Sequence, residues 1–125
     1  MASGPVIVIV EDDPAVLSTV QKSLRSSHAV VHLFSDPAEA VDFSRRTSRV
    51  DLLITDVVMP GLHGFEVAEH MRAAHPSMRL IFTSGYPSDA WLPAQYPEGA
   101  RFLPKPFSPT ELTAAVSEQL TSNGF

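Results

Sequence analysis

The chain of 125 residues contains no cysteine. That absence excludes disulfides, thiolate zinc sites, iron–sulfur clusters and a cysteine nucleophile. Positive charge is scarce: 9 Lys+Arg stand against 14 Asp+Glu, a formal net charge of −5. Such a chain is poorly suited to neutralise phosphates along a nucleic acid, so no direct nucleic-acid contact is expected. No apolar run approaches the ~20 residues that a bilayer span needs. The N-terminus lacks a basic stretch followed by an apolar one. Neither membrane contact nor a signal peptide is expected, and the expected location is cytoplasmic. Repeats and low-complexity tracts are also missing. What is there suits a globular domain: 44% hydrophobic and 18% charged residues. A chain of this length can bury roughly two-thirds of its unfolded surface without staples. The expectation is one domain over 1–125, with a core spanning about 5–121 and nothing left over for an output domain.

Val6 to Val10 is an unbroken run of β-branched residues. It reads as a strand buried on both faces, as in a parallel sheet. Glu11-Asp12-Asp13-Pro14 ends it, with Asp13 as N-cap and Pro14 as the first helical residue. The helix that follows carries Val16, Leu17, Val20 and Leu24 on one face. The same grammar repeats. Ala29 to Phe34 reads as a strand, and Asp36-Pro37 opens a helix with Ala38, Ala40 and Val41. Asp51 to Thr55 reads as a strand ending at Asp56. Gly61 and Gly64 supply a turn before a helix with Phe65, Ala68 and Met71. Leu80 to Thr83 and Phe102-Leu103 read as the last two strands. Ser108-Pro109-Thr110-Glu111 is a capping box. It opens a helix with Leu112, Ala115, Val116 and Leu120 facing the core, and Thr121 to Gly124 reads as its frayed end. Pro87, Pro93 and Pro97 predict that any fourth helix between Gly85 and Ala100 is short or irregular. Five strands alternating with helices predict a doubly wound α/β fold with a parallel sheet.

Open parallel sheets bind ligands at the C-terminal ends of their strands. Those ends carry Glu11, Asp12 and Asp13 after the first strand and Asp56 after the third. Thr83-Ser84 follow the fourth and Lys105 the fifth. Two like charges about 4 Å apart repel by about 4 kcal/mol at an effective dielectric near 20. A positive partner must offset such a cluster. Mg²⁺, or Mn²⁺, is the hard cation that suits one or two carboxylates plus phosphate oxygens. Glu11, Asp12 and Asp56 supply −3; a divalent ion at +2 and Lys105 at +1 close the balance. Asp56 beside a metal is then a carboxylate able to attack a phosphoryl group. The ion, Lys105 and the Thr83 hydroxyl would each meet one phosphoryl oxygen.

Glu11-Asp12-Asp13, Leu53 to Gly61 with Gly64, Thr83-Ser84-Gly85 and Leu103-Pro104-Lys105-Pro106-Phe107 together resemble two-component response-regulator receiver domains. The resemblance covers essentially the whole chain, in order and at the family's spacing. It implies the flavodoxin-like strand order 2-1-3-4-5 with helices on both faces. It implies Asp56 as phosphoacceptor, Asp12 as a direct Mg²⁺ ligand, Glu11 as holder of metal-bound water, and the Val58 backbone carbonyl as a further ligand. Thr83 would be the switch hydroxyl, Lys105 the lysine contacting phosphate and Asp56, and Phe102 the aromatic that repacks. The Lys105–Pro106 bond would be cis. The partner would be a histidine kinase or a histidine phosphotransfer domain; a weak homodimer is left open. Thr83-Ser84-Gly85-Tyr86 and Leu103 to Pro109 look most like receivers attached to hybrid sensor histidine kinases. The chain would be a switch that catalyses only its own phosphorylation and dephosphorylation, not an enzyme acting on other substrates.

The chain departs from the family's pattern in its Pro-rich stretch, which replaces a regular fourth helix where receivers commonly place output, and at three residues. Glu11 stands where Asp is commoner, Phe102 has no hydroxyl, and Val58, two residues after Asp56, is apolar. Plainer readings exist for each residue. Glu11 to Asp13 alone read as a solvated helix start, Asp56 as a turn residue, Thr83 as a strand end and Lys105 as a surface lysine. The five histidines (His28, His32, His63, His70 and His75) lack metal-ligand spacing and read as surface residues, with His63 singled out only for its place in the loop after Asp56. Tyr86, Trp91 and Tyr96 read either as a satellite core or as a partner patch. The alternative function is a pseudo-receiver, a module that binds partners without phosphorylation. A flavodoxin-like nucleotide or flavin binder needs a Gly/Ser/Thr loop after the first strand to cradle phosphate, where this chain has three acids.

Overall fold

The computed structural model describes residues 4–25, 28–59, 61–85 and 99–121. The β-branched run forms β1 (Val6–Val10), and Asp13 caps α1 (Pro14–Leu24) through its side chain, which accepts from the Ala15 amide. Then come β2 (Val30–Phe34) and α2 (Pro37–Arg46), the latter capped by Asp36 in the same way. β3 (Leu52–Asp56), α3 (Gly64–Ala74), β4 (Arg79–Ser84), β5 (Arg101–Pro104) and α4 (Pro109–Thr121) complete the described order. Ser108 and Glu111 form the expected reciprocal box at the start of α4, at 3.0 and 2.8 Å. The five strands pair in the order β2-β1-β3-β4-β5, all parallel. This is the predicted flavodoxin-like arrangement. The irregular fourth helix predicted between Gly85 and Ala100, the aromatic residues within it and the frayed end after Thr121 lie outside the described residues.

Alternation along the central strands builds two cores. Val8, Val10, Leu53 and Phe82 face one way, against Ala40 and Val41 of α2 and Val67, Ala68 and Met71 of α3. Ile7, Ile9, Ile54 and Ile81 face the other way, against Val20 and Leu24 of α1 and Leu112, Ala115 and Val116 of α4. Each fully buried aliphatic side chain contributes about 1.5–3 kcal/mol. Double burial explains why β1 reads as a continuous apolar run rather than an alternating one. Among the described residues, no helix is long and apolar enough to cross a membrane.

Two sequence readings need correction. Gly61 does turn the chain, at φ +90°. Gly64 is instead the first residue of α3, and His63 is the N-cap. Gly64 is required by contact: a Cβ there would lie 2.3 Å from the Asp56 carbonyl oxygen. The histidines are not all surface residues. The His32 ring packs tilted against that of Phe43, 4.5 Å between centroids, and His75 Nε2 lies 2.7 Å from the Ser44 carbonyl oxygen. Both are half-buried, as is His63. On α4, Leu120 packs against the core as expected, and the neighbouring Gln119 is buried as well. The Gln119 amide donates to the carbonyls of Leu80 (2.7 Å) and Gly99 (2.9 Å), which satisfies polar groups a leucine would leave unpaired.

Replacing Gly64 with Ala forces the start of α3 away from β3. The expected cost is about 1–3 kcal/mol, the usual penalty of overpacking. The denaturant midpoint of Gly64→Ala against wild type checks it.

Candidate functional site

The parallel topology brings the C-terminal ends of β1, β3, β4 and β5 to one rim. Glu11 prolongs the β1 ladder: its amide donates to the Phe34 carbonyl at 3.0 Å. Its side chain is drawn inward and the residue is only 2% exposed. Asp12 stays exposed. Asp13 keeps its capping role, and its amide donates to Glu11 Oε2 at 3.1 Å. Asp56 ends β3 at 8% exposure and pairs in register with the buried Thr83 on β4. The Val57 amide donates to the Thr83 carbonyl at 2.9 Å and continues that ladder past Asp56. Lys105 follows β5, held by its amide donating to the Ser84 carbonyl at 2.8 Å; the Lys105–Pro106 bond is cis.

Lys105 is the centre of the arrangement. Its Nζ lies 2.8 Å from Glu11 Oε1 and 3.0 Å from Asp56 Oδ2. Glu11, Asp12 and Asp56 each bring a carboxylate oxygen within 4.8 Å of the others. Three carboxylates and one ammonium leave a formal −2 at the rim. Hard oxygen donors, close spacing and that residual charge fit a divalent cation such as Mg²⁺ or Mn²⁺. Of the other sequence candidates, Thr83 lies beside Asp56 in the ladder. Phe102 pairs with Phe82 one strand further out and packs half-buried against the α2–α3 core, outside the acidic cluster. Val58 presents its side chain to solvent at 46% exposure.

Burial holds the Glu11 carboxyl above its usual range, and this outweighs the Lys105 and Asp13 contacts that favour its charged form. For Lys105, burial alone would lower the value; the hydrogen bonds and charges of Glu11 and Asp56 outweigh it and hold the ammonium above its usual range. The pair therefore keeps Lys105 charged while Glu11 remains short of compensation.

His63, singled out in the sequence only for its place after Asp56, turns out to be the N-cap of α3. Its Nδ1 accepts from the Phe65 amide at 3.2 Å, and Glu66 Oε1 accepts from the His63 amide at 2.9 Å. The readable signal was Glu66 three residues after the cap position; histidine is not a usual cap residue.

A five-stranded parallel sheet with an acid–hydroxyl–lysine rim defines a class of small signalling domains. The family model for the response regulator receiver domain matches residues 7–117, and the chain belongs to that family. It is 36% identical over 124 residues to the sensor kinase CckA of Brucella abortus, covering 96% of this chain but 13% of that protein. It is 35% identical over 111 residues to the response regulator MprA of Mycobacterium avium, covering 88% of this chain and 48% of the relative. The chain thus spans about half or less of these two relatives. Among solved structures, the receiver domain of the hybrid histidine kinase CckA superposes with a TM-score of 0.78 at 33% identity, covering 92% and 98% of the two chains. A receiver protein from Sinorhizobium medicae shares the fold with a TM-score of 0.87 at 24% identity, covering 96% and 97%.

The raised Glu11 value has a stability consequence in magnesium-free buffer. Folding favours the protonated form, so the contribution of Glu11 is fully present below its unfolded value of 4.5 and is lost as pH rises through the higher folded value. Metal-free wild type should therefore gain stability from this group as pH falls toward 4.5. Glu11→Gln should unfold at higher denaturant than wild type at pH 7 and lose that part of the pH slope. Urea melts from pH 7 downward check both.

Proposed function

We propose that the domain accepts a phosphoryl group on Asp56 from a phosphohistidine of a partner kinase or phosphotransfer domain. A carboxylate oxygen of Asp56 attacks phosphorus, the P–N bond to the partner's imidazole breaks, and the leaving nitrogen takes up a proton. The observation that carries this reading is the Lys105 ammonium shared between Glu11 and Asp56 in a rim that still holds two negative charges. Asp12, Asp56 and the Val58 carbonyl would hold the metal directly, and Glu11 through water. When bound, the ion supplies charge neutralisation at the phosphoryl oxygens. Lys105 contributes a second positive charge there, already placed against the nucleophile, so no reorganisation is needed as charge develops.

Thr83 and Phe102 carry the response. Thr83 adjoins Asp56 across the β3–β4 ladder, so its hydroxyl can follow a phosphoryl oxygen. Phe102 is half-buried one strand away and free of any hydroxyl, so its part is repacking. Phosphorylation then shifts a two-state equilibrium by its differential contacts with the two states. Likeness to CckA supports a phosphorelay setting, since a receiver of a hybrid kinase needs a histidine donor. The pseudo-receiver alternative requires a defective site, and here the acids, the hydroxyl and the lysine are all present.

Acetyl phosphate with Mg²⁺ should label Asp56 alone, with a hydroxylamine-labile bond; Asp56→Asn should take no label. Absence of label on wild type would favour the pseudo-receiver. A second outcome concerns the lifetime of the phosphate. The exposed, apolar Val58 cannot orient an attacking water, so the phosphate should be long-lived. Val58→Asn should shorten its half-life roughly tenfold, the effect of one hydrogen bond of about 1.4 kcal/mol gained by the attacking water in the transition state. Decay of the phosphorylated species after removal of the donor measures it.

A further inference from the structure

We propose that His63 is a positioning residue for the acidic rim: by capping α3 it holds the helix start against Asp56 and so sets Mg²⁺ affinity and phosphorylation rate. The proposal rests on the receiver reading and goes further, to a residue outside the acidic cluster.

The start of α3 is fastened directly to the backbone at the nucleophile. The Gly64 amide donates to the Val57 carbonyl at 2.8 Å. The space a Gly64 side chain would need is filled by the Asp56 carbonyl oxygen. Whatever holds the first turn of α3 therefore holds the backbone of Asp56 and Val57. His63 does that on both sides of the cap. Its Nδ1 takes the Phe65 amide, and its own amide is taken by Glu66.

A second path leads to β4. The His63 ring lies 5.1 Å from the ring of Phe65. Phe65 meets Phe82 edge-on at 4.9 Å, and Phe82 directly precedes Thr83. The cap thus bears on both strand ends that carry the proposed nucleophile and switch hydroxyl. An N-cap normally uses a short oxygen-bearing side chain. An imidazole can accept this hydrogen bond through one ring nitrogen and also fill space against Phe65, which Asn does less fully.

The test uses the full chain as wild type, His63→Ala and His63→Asn, with Glu66→Ala as a milder lesion of the same cap. Mg²⁺ titration is followed on the amide signals of Asp56, Val57 and Val58. The Phe65 amide exchange rate and the rate of labelling by acetyl phosphate are measured alongside. Loss of a cap is worth roughly fivefold in an equilibrium. His63→Ala should raise the Mg²⁺ half-saturation concentration and slow labelling by about that factor, with faster Phe65 exchange. Glu66→Ala should shift each in the same direction by less. His63→Asn restores a side-chain acceptor and should return Mg²⁺ affinity and labelling toward wild type. The proposal is overturned if His63→Ala speeds Phe65 exchange yet leaves Mg²⁺ half-saturation unchanged, for then the cap serves only the helix. It is equally overturned if Asn behaves like Ala. Should wild type bind Mg²⁺ but take no label, the phosphoacceptor reading fails, and the Mg²⁺ comparison still decides the role of His63.

Discussion

One ammonium group, Lys105 Nζ, stands between two buried carboxylates, and the rest of the site is arranged around that contact. A buried charge without a partner costs several kcal/mol, and even a paired one is a weak source of stability. On the proposed reading, the contact places a charge for function rather than bridging for stability. Lys105 lies 49 positions from Asp56 in the chain, and only the strand order brings them together. A lysine there offsets one of three carboxylates and leaves a formal −2, which a divalent ion would offset. Glu11 marks the shortfall, because its burial is not fully compensated by its neighbours.

The fold serves this contact by keeping the rim rigid. Both faces of the sheet are covered, so the central strands have no freedom to shift register without exposing a core. Backbone hydrogen bonds carry the strand ladders one residue past their ends: Glu11 to Phe34, Val57 to Thr83, Lys105 to Ser84. Each of these places a residue of the site, or its neighbour, at a fixed height on the rim. Helix starts do the remaining work, with Asp13 turning the chain after Glu11 and Gly64 pressing α3 onto Asp56.

Much of this was legible in the residues. Continuous β-branched runs announced a sheet buried on both faces, and Asp-Pro pairs marked two helix starts to the residue. The carboxylates, the hydroxyl and the lysine fell at strand ends, where a parallel sheet gathers ligands. Other features were hidden because they depend on contacts between distant segments. Gly64 looks like a turn residue until the Asp56 carbonyl is seen where its side chain would go. Gln119 carries no mark of burial in the sequence, yet it answers carbonyls of Leu80 and Gly99 that no local pattern reveals. His63 was obscured by its type, since capping is written in the sequence mainly through Ser, Thr, Asp and Asn. The reach of the Glu11 side chain to Lys105 could not be read from one segment at all.

The central claim is that this rim tolerates its own negative charge by sharing a divalent cation with Lys105. Calorimetric titration of the metal-free protein with Mg²⁺, in wild type and in Asp12→Asn, tests it most directly. The account predicts saturable binding of a single ion per chain in wild type, much weakened in the variant. A wild-type protein that binds no Mg²⁺, or one whose binding is unchanged by Asp12→Asn, would contradict it.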